Sequence, residues 1–190
     1  CSDLPPPDPI CEESMTRHAK GTGTNVVTLI LGMILFAVVA YYGMVALTSR
    51  DPLWFLGRFE DQPARIIVYH DGQRTDLQPG DEGFDELASA VQESLAAGFR
   101  GLTNIGLSEP SLQDAYRQSV TLEVFFARPV ALHTFFFTGR VTQMLFPITG
   151  RHSEMDIAVL GEDGAYRSGA PALNDIAPIR NAMRALGYGP

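Results

Sequence analysis

The longest hydrophobic segment of the chain lies between Lys20 and Arg50. Its centre, residues 26–47, contains neither a charged residue nor a proline. A helix of this length, at about 1.5 Å per residue, covers roughly 33 Å and matches the hydrocarbon core of a bilayer. Because an α-helix pairs its backbone polar groups internally, the pattern predicts a single transmembrane helix over residues 25–48.

Small residues recur along one side of this predicted helix. Thr28 and Gly32 lie one turn apart, and Gly43 and Ala46 continue roughly the same face. Small side chains let two helix backbones approach closely, and this is where van der Waals packing in a membrane gains most. The pattern therefore predicts that this face packs against other transmembrane helices.

Residues 1–24 form a polar N-terminal tail in which prolines cluster between positions 5 and 9. This composition favours extended chain over a packed core. Cys1 and Cys11 are the two cysteines of the chain, so a disulfide cannot hold the downstream domain together. Cys1 is a candidate for lipidation, with removal of an initiator methionine as the alternative, and the sequence leaves both open.

Residues 49–62 form a juxtamembrane segment rich in aromatic and arginine side chains. Trp54, Phe55 and Arg58 suit the headgroup region, where amphipathic side chains anchor a membrane protein. The alternative is that the aromatic side chains of this segment pack beneath the domain.

Basic residues flank the predicted helix on both sides and bear on its orientation. Those before it are Arg17, His18 and Lys20, and those after it are Arg50 and Arg58. The two flanks carry nearly equal numbers of basic residues, so the positive-inside rule discriminates only slightly between the two orientations. The N-terminal basic residues lie close to the helix and favour a cytoplasmic tail and an extracytoplasmic domain. A lipidated Cys1 would reverse this orientation.

Residues 63–190 carry the patterns of an α+β domain. Residues 65–70 predict a strand that turns at Asp71-Gly72 into a return strand at 75–77. Helical spacing follows from an N-cap at Asp81 as far as Phe99. Two further helices are predicted, at residues 108–119 and 173–186, the second with Pro178 in its first turn and Gly187 as its cap.

The second half of the domain is rich in strand patterns. The predicted strands are 120–126, 130–138, 141–148, 155–160 and a short one near Tyr166. Short connections favour antiparallel pairing, so we expect two to three helices on one face of a mostly antiparallel sheet. Three consecutive phenylalanines, residues 135–137, would place aromatic surface on both faces of a strand. The second face would be covered by the domain's own helices, by a partner protein or by the membrane surface.

Candidate chemistry is sparse. The formal net charge of −8 argues against nucleic acid as a partner. There is no nucleophile elbow, phosphate-binding loop, dinucleotide fingerprint or H-E-x-x-H motif. The nearest ligand set is His152, Glu154 and Asp156, which would share one face of an extended strand and need a further ligand such as His70 or His133. Solvent-exposed polar residues at the start of a strand explain this set more simply. We therefore predict no catalytic, cofactor-binding or metal site.

The organisation is similar to that of small single-pass accessory subunits in multi-subunit bacterial membrane complexes, including respiratory and photosynthetic electron-transfer assemblies. The first hypothesis is therefore a structural or stabilising subunit of the bacterial cytoplasmic membrane, without its own cofactor. Its partners would be the lipid bilayer and other transmembrane subunits. The second hypothesis is a membrane-tethered sensor or a domain that binds a ligand or peptide. The third, an enzyme or assembly factor, requires that the His152 set binds a metal.

Overall fold

The structure, a computed structural model, describes residues 25–55 and 59–189. These described residues divide into two units, with the boundary between Val39 and Ala40. Cys1, Arg58 and the tail of residues 1–24 lie outside the described residues, so lipidation, the Arg58 anchor and the extended tail stay predictions.

Helix α1 (Val26–Ser49) coincides with the predicted transmembrane segment. Most of its large apolar side chains between Val26 and Leu47 are exposed, and Val45 near its end is buried. The helix is long and apolar enough to cross a membrane or to act as a signal sequence, and it is the one helix of this kind among the described residues. It ends where the Ser49 hydroxyl donates to the carbonyl of Val45 (2.9 Å) and Arg50 adopts a left-handed conformation (φ 57°).

The remaining elements make an α+β domain, as predicted. The helices are α2 (Phe84–Ala96), α3 (Glu109–Gln118) and α4 (Ala177–Ala185). The strands are β1 (Arg65–His70), β2 (Gln73–Leu77), β3 (Phe99–Leu102), β4 (Thr121–Val130), β5 (Val141–Pro147), β6 (Val159–Glu162), β7 (Ala165–Tyr166) and β8 (Pro171–Leu173). A 3₁₀ turn spans Ser153–Met155.

Six strands form an antiparallel sheet in the order β2-β1-β4-β5-β6-β7, and β3 pairs with β8 in a second sheet. The two tightest hairpins of the large sheet turn at Asp-Gly dipeptides, of which Asp71-Gly72 was predicted. Asp71-Gly72 joins β1 to β2 and Asp163-Gly164 joins β6 to β7, with positive φ at all four residues. Two successive positive φ angles match the right-handed twist of the strands, and glycine and aspartate tolerate them best.

Each face of the large sheet is covered by the chain itself. On one face, α2 and α4 pack over the alternate residues Ile66, Val68, Leu122, Val124, Met144 and Phe146. On the other face, α3 and residues 103–107 cover Leu145 and Val159. The prediction that the helices share one face was therefore wrong for α3, because the second face also carries apolar side chains that exclude water.

The predicted strand over residues 130–138 was also wrong. Strand β4 runs on to Val130, and residues 131–140 form an irregular loop before β5. His133 is left-handed (φ 47°), and the Thr134 hydroxyl donates to the carbonyl of Phe136 (2.5 Å). A strand cannot accommodate that backbone angle, so the three phenylalanines do not alternate between two sheet faces.

Several smaller boundaries differ from the predictions. The helix expected from residue 173 begins only at Ala177, because Leu173 pairs in β8. The N-cap of α2 is Gly83, while the Asp81 carboxylate accepts from the backbone N–H of Gln78 (2.7 Å). Phe99 begins β3, because Gly98 (φ 83°) ends the helix with a left-handed residue. The strand expected from residue 155 starts only at Val159, since a 3₁₀ turn and a left-handed Asp156 precede it.

Candidate functional site

A buried carboxylate occupies the centre of the sheet face beneath α3. Glu123 on β4 is 4 % exposed, between Ile67 of β1 and Leu145 of β5. Its Oε1 atom accepts hydrogen bonds from the hydroxyls of Tyr116 on α3 and Tyr166 on β7, the latter at 2.6 Å. These bonds join three elements at one atom, and hydrogen bonds to an ionised group are stronger than neutral ones.

Contacts at both ends of α3 hold the helix over the Glu123 carboxylate. Ser108 caps the helix by accepting from the backbone N–H of Ser111 (3.4 Å), and a proline follows in the first turn. At the other end, the buried Thr121 donates to the carbonyl of Ala115 (3.2 Å) and ties the helix to β4. The ring of Tyr116 stacks on that of Tyr69, with centroids 4.1 Å apart.

Burial and the Glu123 charge shift the titration of all three tyrosines. Partial burial, then the nearby carboxylate, raises the pKa of Tyr69 to about 12 from its ordinary value near 10. The pKa values of Tyr116 and Tyr166 are raised further, first by burial and then by the hydrogen bonds and the charge of Glu123. Each shift favours the neutral phenol, which is the form that can donate to Glu123.

We expect these tyrosines to make the domain sensitive to alkali. Above pH 10 the unfolded chain loses phenolic protons that the folded domain retains, so stability is complete below pH 10 and falls as pH rises toward 12. In the native protein, part of the tyrosinate absorbance should therefore appear only well above pH 10, when the domain unfolds and Tyr69, Tyr116 and Tyr166 ionise. In the urea-unfolded chain, all tyrosines should ionise in one step near pH 10. Glu123→Gln should lower the apparent pKa of Tyr69. An unchanged Tyr69 titration in that variant would contradict the role of the charge.

A cavity of about 250 Å³ lies beside the cluster, between α3 and strands β5 and β6. Its floor is apolar and is formed by Leu107, Leu145, Ile157 and Val159. Its rim is polar and includes Asp114, Gln118, Arg151 and His152. The Asp114, Gln118 and Arg151 side chains have no hydrogen-bond or ion-pair partner within the described part of the chain. An apolar floor with a few free polar groups is typical of a small-molecule site, although the volume is at the small end of that class.

The structure does not arrange the candidate ligand set of His152, Glu154 and Asp156 around a metal position. His152 lies on the rim of the cavity, and Asp156 forms ion pairs with Arg180 (2.9 Å) and Arg100 (3.2 Å). Glu154 is exposed on the 3₁₀ turn, so the alternation of an extended strand does not apply. Over residues 25–55 and 59–189, no group of three or more His, Cys, Asp or Glu is arranged to hold a metal ion.

The other two histidines of the described domain lie elsewhere. His70 is at the β1–β2 hairpin, with its Nε2 3.7 Å from the carboxylate of Asp71. His133 is in the loop of residues 131–140, and its Nδ1 is 2.8 Å from the carboxylate of Asp51. Neither residue approaches the rim of the cavity that contains His152.

The aromatic side chains after α1 pack back on its last turns. The ring of Trp54 meets that of Tyr41 edge to face at 6.2 Å, and Phe55 meets Tyr42 in the same way at 6.1 Å. Phe59, in contrast, is buried in the main core against Phe126 (5.7 Å). The burial of Phe59 matches the second alternative considered from the sequence, and the position of Trp54 and Phe55 in the headgroup region stays a prediction.

The predicted helix-interface residues lie along α1, and the two glycines among them have open space at their Cβ positions. Thr28 and Gly32 are exposed, and Gly43 and Ala46 are partly buried. A Cβ atom added at Gly32 or Gly43 would meet nothing within 4 Å. A larger side chain at either glycine therefore creates no clash within the described chain.

No protein-family model, curated protein or solved structure matches this chain.

The Tyr116–Glu123–Tyr166 cluster was not predicted from the sequence. Its one sequence signal was a glutamate in the middle of a strand, residues 120–126, whose other residues are apolar apart from Thr121.

Proposed function

We propose that the protein is a single-pass accessory subunit of a multi-subunit bacterial membrane complex, with a structural or stabilising role and no cofactor of its own. The observation that carries the proposal is the exposure of nearly all the large apolar side chains of α1, with Val45 as the buried exception. Such a surface is stable only against lipid or other apolar helices. A respiratory or photosynthetic electron-transfer assembly is the kind of complex that this organisation suggests.

The proposed partners are other transmembrane subunits, which would contact the face of Thr28, Gly32, Gly43 and Ala46. The open space beside Gly32 and Gly43 supports this assignment, because a neighbouring helix could approach the backbone there. The protein would reside in the cytoplasmic membrane, with the domain on the extracytoplasmic side. Trp54 and Phe55 would lie in the headgroup region at that surface.

Purification from native membranes in a mild detergent tests the proposal. We expect the chain to migrate on native electrophoresis with a large assembly and to remain with it through a second separation. Migration at the size of the single chain in its detergent micelle would contradict the role of a subunit.

The cavity beneath α3 favours a second function, a membrane-tethered sensor or ligand-binding domain. Its apolar floor and unpaired polar rim would suit a small ligand with an aliphatic body and a polar end. The same purification separates the two functions, since a sensor would migrate alone.

A further inference from the structure

The loop of residues 131–140 presents apolar side chains to solvent beside the end of α1. Phe135 is 47 % exposed and Phe137 is 52 % exposed, with Leu102 of β3 nearby in the same region at 51 %. Phe136, between the two exposed rings, is buried against Phe99 at 6.3 Å and holds the loop on the domain. The exposed rings are therefore on a fixed loop and need an apolar partner.

Two contacts fasten this loop to the residues that follow α1. The Asp51 carboxylate is 2.8 Å from Nδ1 of His133, and the Arg50 guanidinium lies 5.2 Å from the ring centre of Phe137. Asp51 is two residues beyond the end of α1 at Ser49. Two residues span at most about 7 Å, which is close to the thickness of one headgroup layer. A membrane crossed by α1 would thus have its interface at the height of this loop.

The side chains around the loop match the composition of a membrane interface. Tyr41, Tyr42, Trp54 and Phe55 form edge-to-face pairs at the same end of α1, and Phe55 is 57 % exposed. Arg50 and Arg140 line the groove of about 280 Å³ between the loop and residues 49–51. Aromatic rings with arginines suit the boundary between acyl chains and phosphate headgroups.

We propose that the loop of residues 131–140 is a second membrane contact, in which Phe135 and Phe137 enter the headgroup region of the bilayer that α1 crosses. This inference rests on the proposed membrane anchoring of α1. The Asp51–His133 hydrogen bond and the Arg50–Phe137 contact would hold the loop at the interface. The contact would fix the orientation of the domain on the membrane, which a single flexible tether could not do.

Tryptophan fluorescence can test this contact, because Trp54 is the single tryptophan of the chain. The full chain is reconstituted in vesicles of phosphatidylcholine and phosphatidylglycerol with and without brominated acyl chains, which quench tryptophan on contact. The native chain reports on Trp54. A Phe135→Trp variant in the Trp54→Phe background reports on the loop.

Tyr188→Trp in the same background is the matched control. Tyr188 lies 6.3 Å from His70, near the start of β4, whereas the loop follows the end of β4. That strand has ten residues and a length of about 33 Å, so the control is remote from the loop.

We expect bromine to quench the Phe135→Trp variant as strongly as Trp54 and to leave Tyr188→Trp unchanged. Adding Asp51→Ala to the Phe135→Trp variant should weaken its quenching. Quenching of Trp54 without quenching of Phe135→Trp would overturn the loop contact, leave the anchor intact and favour a protein partner for the two rings. Absence of quenching at both positions would overturn the membrane anchor as well, and equal quenching at Tyr188→Trp would overturn a contact specific to the loop.

Discussion

Replacing Glu123 by methionine is expected to lower the free energy of unfolding of the domain by about 3 kcal/mol. Methionine keeps the length of the side chain, so the main loss is that Tyr116 and Tyr166 no longer have an acceptor at Glu123 Oε1. The unfolding midpoint should fall by about 10 °C for a domain of this size. Near-ultraviolet circular dichroism of the full chain in detergent, which reports tertiary packing, measures that midpoint.

Two further variants separate the hydrogen bonds of Glu123 from its packing. Adding Tyr116→Phe and Tyr166→Phe to Glu123→Met should recover much of the lost stability, because removal of both partners leaves no buried group unpaired. Glu154→Ala, at an exposed glutamate on the 3₁₀ turn, should change stability by less than about 0.5 kcal/mol. If the triple variant is no more stable than Glu123→Met, the unpaired hydroxyls are not the cause of the loss.

Replacing Gly32 by leucine is expected to release the protein from the membrane complex proposed for it. A leucine at this position has open space in the described chain and strengthens the helix, so it should harm only an interface with another helix. The bound fraction should fall about tenfold or more, which corresponds to about 1.4 kcal/mol. Quantitative co-purification from native membranes measures that fraction.

Ala37→Leu is the matched control for Gly32→Leu. At 100° per residue it lies on the side of α1 opposite Thr28 and is also small and exposed. We expect it to remain in the complex. Equal retention of both variants would argue against the interface of Thr28, Gly32, Gly43 and Ala46, and equal loss would mean that leucine disturbs the helix on any side.

Much of the fold was predictable because its local patterns and its tertiary packing agree. The uncharged run of residues 26–47 predicted α1, and Asp71-Gly72 predicted the first hairpin with its turn. These patterns depend on neighbours in sequence, whose effect does not change with the surrounding fold.

The errors arose where packing overrides local pattern. The apolar run of residues 130–138 is typical of a strand, but His133 adopts a left-handed backbone and its ring pairs with Asp51, far away in sequence. The short strands β3 and β8 were missed for the same reason, since each is stabilised mainly by the other.

The buried cluster was beyond prediction for a related reason. Alternation along β4 put Glu123 on the less apolar face of the strand, and such a face is often solvated. Its donors are seven and 43 residues away, and only the position of α3 and β7 brings them to one oxygen atom. The cavity depends on the same packing of α3, so the spacing of residues along the sequence could not predict it.

The two edge strands of the large sheet also affect whether copies of the protein aggregate. The outer strand β2 carries exposed Gln73, Arg74 and Asp76, and the opposite outer strand β7 has only two residues. Charged or very short outer strands resist pairing with a strand from another molecule. Under the proposed anchoring by α1, the domains would be concentrated along one bilayer, where exposed edge strands of neighbouring copies would meet often and could pair. The charged strand β2 and the two-residue strand β7 would both oppose such pairing between copies.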